Sequence, residues 1–180
     1  MASIFKNFEI DSETNFVITS ASIEDTAPIV QFLNKIGGET DFLTFGLNQF
    51  PFSIEEEKKI ILACLEKYSG LMLVAKIHDE IVSHLFIEIS NRARLDHIGY
   101  LGISVTKQYW RKSIGTHMVL IAIDWGKKNG LTKLQVQVRT DNAAAIRLYT
   151  KLGFCIEGTI THSFKIGTTY FDDYVMGLKI

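Results

Sequence analysis

The segment Tyr109-Trp110-Arg111-Lys112-Ser113-Ile114-Gly115-Thr116 joins two cations and small residues in a turn that opens a helix. Such a turn suits a phosphate. The first backbone N–H groups of a helix have no intrahelical partner, and the macrodipole there favours negative charge. No Gly-x-x-x-x-Gly-Lys-Ser/Thr pattern precedes a helix, which argues against a nucleotide-phosphate enzyme built on this loop. A second block lies downstream, with Asn142, Ala145, Leu148, Tyr149, Lys151, Gly153 and Phe154 in fixed spacing. Tyr149 supplies a phenol that is protonated at neutral pH and can donate to a leaving anion, or it is a packed aromatic three residues after Ile146. Asn142 reads as a helix cap. Lys151 is either a solvated helix-end lysine or a phosphate partner.

These residues need elements to hold them. Tyr100 to Val105 is rich in β-formers and reads as a strand, His97–Val105, entering the loop. Ile114, Met118, Ile121, Ala122 and Trp125 recur at helical spacing after it, and the helix ends at Asn129-Gly130. Leu131–Arg139 alternates as a strand, Asn142–Lys151 is a helix, and Phe154–Thr161 and Tyr170–Lys179 are the last strands, an antiparallel pair. Upstream, 16–19 is a strand and 24–36 a helix, with Asp25 as cap and Gly37-Gly38 as its end. Ser53 and Glu56 form a capping box for a helix that runs to about Tyr68. Leu71–Ile77 and Ile81–Ile89 form a hairpin around His78-Asp79-Glu80. The order gives an antiparallel meander followed by a strand–helix–strand crossover. The fold class is therefore α/β: a single-domain, mixed, mostly antiparallel sheet flanked by helices.

Composition bounds the rest. The chain has 180 residues, 47% hydrophobic, with two Pro, enough for one domain with a substantial core. Residues 1–14 read as a polar, aperiodic lead-in and 15–180 as the domain. A net charge of −1 gives no basic excess for nucleic acid or an anionic membrane. Cys64 and Cys155 are too few for a disulfide framework or a metal site and read as core thiols. The N-terminus lacks a signal-peptide pattern and no apolar run reaches a membrane span. The expectation is a cytoplasmic protein, a monomer or homodimer.

The two blocks together resemble the GCN5-related N-acetyltransferase superfamily, whose phosphate loop reads Gln/Arg-x-x-Gly-x-Gly/Ala and whose later helix reads Asn-x-x-Ala-x-x-Leu-Tyr-x-Lys-x-Gly-Phe. The resemblance covers roughly 15–180. Trp110 stands where Gln or Arg is usual and Ser113 replaces the first Gly, so its side chain either crowds the pyrophosphate or donates a hydroxyl to it. The resemblance implies acetyl-CoA as cosubstrate and no metal. The pyrophosphate would lie on Arg111, Lys112, Ser113, Ile114, Gly115 and Thr116. The pantetheine would pair with a strand edge at Ile103, Ser104 and Val105, helped by Asn142, with Lys151 a partner for the adenosine phosphate, and splayed central strands would admit it.

The implied reaction is direct transfer to a primary amine, of a small molecule or a protein, through a ternary complex. Tyr149 would protonate the thiolate. Many relatives carry a Glu where Tyr100 stands, so the base is Glu88 on the adjacent strand, His97, or ordered water. The acceptor would meet Glu39, Asp41, Phe42 and Tyr100, acids and ring faces suited to a cation. A non-catalytic acyl-CoA-binding module of the same fold is the alternative.

Overall fold

The computed structural model describes residues 4–10, 14–67 and 69–180. Strands β1 (Phe5–Glu9), β2 (Asn15–Ser20), β3 (Gly70–Ile77), β4 (Glu80–Ile89), β5 (Ile98–Val105), β6 (Lys133–Arg139), β7 (Cys155–Ile166) and β8 (Thr169–Lys179) form one sheet. Its order is β1-β2-β3-β4-β5-β6-β8-β7. The β5–β6 pairing is parallel and the others are antiparallel. The helices are α1 (Thr26–Ile36), α2 (Ile54–Lys67), α3 (Ile114–Lys128) and α4 (Ala143–Lys151).

Strand alternation divides the core between two faces. Leu71, Leu73 and Ala75 of β3, with Leu85 and Leu101, pack with Met118, Val119 and Ala122 of α3 and Tyr149 of α4. Met72 and Val74 turn the other way, onto Ile29, Phe32 and Leu33 of α1 and Ile61 and Cys64 of α2. Local chemistry sets the joints. Ser53 Oγ accepts from the Glu56 N–H at 3.3 Å while the Glu56 carboxylate takes the Ser53 N–H at 2.8 Å, the expected capping box. His78 and Asp79 carry the β3–β4 hairpin at φ 48° and 65°. Gly37 ends α1 because a Cβ there would lie 2.3 Å from the Gly46 carbonyl oxygen; the following segment folds back on the helix end.

Three expectations are corrected. Within the supposed lead-in, Phe5–Glu9 is a strand in register with Asn15–Thr19. Phe8 explains it, stacking on Phe16 at 5.1 Å and lying tilted against His117 of α3 at 4.2 Å. Two aromatics three residues apart, Phe5 exposed and Phe8 packed, do not alternate and give little strand signal. The strand after Phe154 runs on to Ile166, with register shifts at 156/158 and 160/164 that break the alternation. Cys155 is exposed, whereas Cys64 is buried and burial pushes its thiol up to about 11. The helix stop expected at Tyr68 lies outside the described residues. Among the described residues no helix is long and apolar enough to cross a membrane, and no cluster of His, Cys, Asp or Glu could hold a metal.

Candidate active site

The parallel β5–β6 ladder closes at Ile98/Lys133, Gly99/Leu134 and Tyr100/Gln135, and goes no further. Beyond Tyr100, β5 stays on β4 as far as Val105, while β6 stays on β8 as far as Arg139. The two strands part, leaving a free edge on β5. On the β4 side the Thr106 N–H donates to Val82 O at 2.9 Å, and Ser104 O accepts from Ser83 Oγ at 2.8 Å. Alternation then turns the N–H groups of Ile103 and Val105 toward the opening. Ser104 therefore offers no backbone group to that edge, contrary to its expected place on it; its side chain lies on the face of the sheet opposite α3 and α4. The carbonyl of Val105 accepts from the Trp110 indole N–H at 2.6 Å, so Trp110 folds back on the strand it follows.

A 3-10 turn over Lys107–Tyr109 leads from β5 into the loop. Arg111 and Ser113 have φ of 63° and 62°, a left-handed conformation that favours glycine. The first helical bond of α3 runs from the His117 N–H to Ser113 O at 3.0 Å. The N–H groups of Ile114, Gly115 and Thr116 precede it and point out of the helix end. Arg111 and Lys112 are exposed beside them. A Cβ on Gly115 would lie 3.5 Å from Leu148 of α4, 3.8 Å from Val105 and 3.9 Å from Ile103. Helix start, strand edge and α4 thus converge on one place.

Asn142 caps α4, its Oδ1 accepting from the Ala145 N–H at 3.1 Å. Lys151 is exposed in the last turn. Tyr149 is buried against Phe154, ring centroids 5.3 Å apart, and burial raises its phenol above the ordinary tyrosine range.

The opposite face of the sheet lies under α1 and the 37–52 segment. Two contacts tie that segment across the open end of the strands. Glu39 Oε2 accepts from the Lys107 N–H at 2.7 Å, on the β5 side. Asp41 gives its backbone carbonyl to Arg139 Nη1 at 2.7 Å, on the β6 side. The cation that meets Phe42 is the chain's own Arg139, 4.8 Å from the ring centroid; its guanidinium also lies over Phe171 at 3.8 Å and Phe164 at 5.2 Å. Asp141 accepts from Arg139 Nε at 2.9 Å and from Nη2 at 2.6 Å, and this pairing holds its carboxyl below the ordinary range.

Tyr100 is half-buried opposite the exposed Glu88, on the last rung before the strands part. His97 lies before β5 at the closed end, its carbonyl accepting from the Thr132 and Lys133 N–H groups, and is not brought to the opening. Gly102 is exposed, and a Cβ there would meet nothing within 4 Å.

Sequence reading missed Arg139, whose partners other than Asp141 are remote in the chain, and His84. Burial of His84 pulls its imidazole down to about 4, and its Nε2 has no hydrogen-bond partner.

Residues 40–154 match the model of the Acetyltransferase (GNAT) family. The chain is a member of that family. It is 32% identical to the acetyltransferase of GNAT family from Streptococcus pneumoniae, covering 92% of this chain and 99% of that one, with a TM-score of 0.88. It is 32% identical over 108 residues to the L-amino acid N-acetyltransferase AaaT of Escherichia coli (strain K12). That match takes in 58% of this chain and 65% of the relative, just under two thirds of its length. The yncA protein of Salmonella typhimurium, solved with its cofactor acetyl-CoA, shares the fold at a TM-score of 0.80 and 17% identity, covering 91% of this chain and 93% of that one.

Proposed function

We propose that this GNAT family member is an acetyl-CoA-dependent N-acetyltransferase that moves acetyl directly to a primary amine in a ternary complex. The observation that carries this is the parting of β5 from β6 at Tyr100, opposite a helix start with outward N–H groups. An extended, amide-rich chain ending in a pyrophosphate suits a free strand edge that leads to an anion site. The residues present fit that ligand. Ile103 and Val105 would pair the pantetheine. Ile114, Gly115 and Thr116 would hold the pyrophosphate through backbone N–H groups, with Arg111, Lys112 and the Ser113 hydroxyl beside it. Asn142 Nδ2 and Lys151 flank the path from α4.

The Ile103 N–H would polarise the thioester carbonyl. By analogy with measured oxyanion donors, such a group contributes roughly 3–4 kcal/mol. The amine nitrogen bonds to the acetyl carbon, the carbon–sulfur bond breaks, the nitrogen loses one proton and the sulfur gains one. Tyr149 gives the sulfur its proton, and the proton that the nitrogen loses restores the phenol. Its phenol is held neutral by burial, so it carries the proton that it donates. The amine sheds its ammonium proton through water, with the exposed Glu88 beside Tyr100 as the carboxylate on that rung. The two thiols are free and no enzyme nucleophile is required, consistent with a reducing, cytoplasmic setting.

Thiol release from acetyl-CoA, followed across a panel of amino acids, polyamines and peptide N-termini, tests the reading. Amine-dependent release supports it. Acetyl-CoA binding without release on any amine would make the chain an acyl-CoA-binding module instead.

A further inference from the structure

Among the described residues, three buried side-chain atoms have no hydrogen-bond partner: His84 Nε2, Ser104 Oγ and Asp173 Oδ1. The other carboxylate oxygen of Asp173 accepts from Ser163 Oγ, so that side chain is already held within the fold. The other two have no such account. His84 and Ser104 are direct partners across β4 and β5, which sets their Cβ atoms about 4.5–5.5 Å apart. Both are 9% exposed. His84 also opposes Val74, which packs under α1 and α2, so the pair lies on the face opposite α3 and α4. Native structures seldom leave buried polar atoms unpaired, because each forfeits its bonds to water. Two orphans side by side mark a place where something else binds.

Their position says what. Ser104 follows Ile103, whose N–H meets the open edge. Gly102 precedes it on the same face as Ser104, exposed and with empty space where a side chain would stand. Gly102 thus leaves the surface open beside the reacting edge, two residues before Ser104 on the same face, and the orphan pair lies buried next to that opening. A neutral primary amine has two N–H donors and one lone pair. Two acceptors side by side fix both donors and leave the lone pair one direction in which to point. Burial keeps the imidazole uncharged, so with its proton on Nδ1 it accepts at Nε2. Glu88 cannot do this: it lies four residues along β4 from His84, roughly 13 Å at strand spacing.

We propose that His84 Nε2 and Ser104 Oγ are the acceptor-amine subsite, receiving the two N–H groups of the neutral amine that enters over Gly102. This rests on the N-acetyltransferase reading and adds the residues that orient the nucleophile.

Ser104→Ala, His84→Gln, His84→Leu and the double variant His84→Leu/Ser104→Ala test it, using the full chain. The measurements are acetyl-CoA affinity by calorimetry, thermal stability, and kcat and KM for an amine that wild type acetylates. Each single variant should keep acetyl-CoA affinity within about twofold and lower kcat/KM for the amine by about tenfold or more, the scale on which misplacing a reactant acts. His84→Leu should raise the melting temperature while losing activity, because it removes an orphaned polar atom. The double variant should be little worse than His84→Leu, since the two groups act as a unit. If His84→Leu fails to fold, Ser104→Ala and His84→Gln decide the matter. Amine kcat/KM within twofold of wild type in those two variants overturns the subsite and leaves the N-acetyltransferase reading standing. Acetyl-CoA binding by wild type with no amine acetylated overturns both.

Discussion

The two halves of the candidate site are built from different material. On the cofactor side, backbone does the positioning: the N–H groups of Ile103 and Val105 on a strand edge, and those of Ile114, Gly115 and Thr116 at a helix start. On the proposed acceptor side, side chains do it. Glu39 reaches Lys107, Arg139 reaches Asp41 and Phe42, and His84 faces Ser104. A backbone site tolerates exchange of its side chains provided the path of the chain survives. A side-chain site is lost with one atom. That contrast accounts for Arg111 and Ser113 standing at left-handed positions in the loop, where they cost strain but leave the amides in place.

The contrast can be broken, and the largest effect should come from Tyr149, the side chain in the cofactor half that is asked to do chemistry. Tyr149→Phe should lower kcat by about 10²–10⁴-fold, the usual worth of general acid catalysis, with acetyl-CoA affinity nearly constant. A kcat within twofold of wild type, with chemistry shown to limit the rate, would return Tyr149 to the core as a packed aromatic.

Arg139 should come next, through stability. Arg139→Met removes the ion pair with Asp141, the tie to the Asp41 carbonyl and the cation lying over Phe42, Phe164 and Phe171. Hydrogen bonds to a charged group contribute about 1.5–3 kcal/mol each. Denaturant unfolding measures this, and limited proteolysis should then cut faster within residues 37–52. An unchanged midpoint would mean that the three rings and Asp141 do not hold that segment in place.

Glu57 gives a pH test of the α1/α2 half. It is 2% exposed, and burial raises its carboxyl to about 7. The folded state therefore binds the proton more tightly than the unfolded chain, where the carboxyl has its ordinary value. Its share of stability is whole below about pH 4.5 and is lost as pH rises through about 7. Glu57→Gln should flatten that decline in thermal melts taken from pH 5 to pH 8. A slope identical in the two proteins would assign the decline to other groups.

The smallest effect belongs to the loop cations. Reversing Arg111 and Lys112 to Glu should weaken acetyl-CoA binding at low salt and progressively less as salt rises, because both are exposed and screened. Abolished binding at every salt concentration would contradict a site held mainly by backbone.

The same difference explains what the sequence disclosed. A backbone site needs consecutive residues to set its path, so Trp110–Thr116 and Asn142–Phe154 stand out as linear motifs. The strand before them, the helix after them and the capping box at Ser53 follow from alternation and spacing. Arg139 bonds to Asp41, 98 residues away, and Glu39 bonds to Lys107, 68 residues away. No local pattern announces such pairs. Phe42 was legible as a ring face for a cation, but nothing nearby in sequence said that the cation would be Arg139. His84 was silent for a related reason: in an alternating strand it occupies a core position, and its lack of a partner exists only once β5 lies beside it.

Amide hydrogen exchange with and without saturating acetyl-CoA tests the central claim most directly. The backbone account predicts new protection at Ile103, Val105 and residues 114–116, with little change in the β7–β8 hairpin. Saturation with no added protection at those amides, or protection confined to the 37–52 segment, would contradict it.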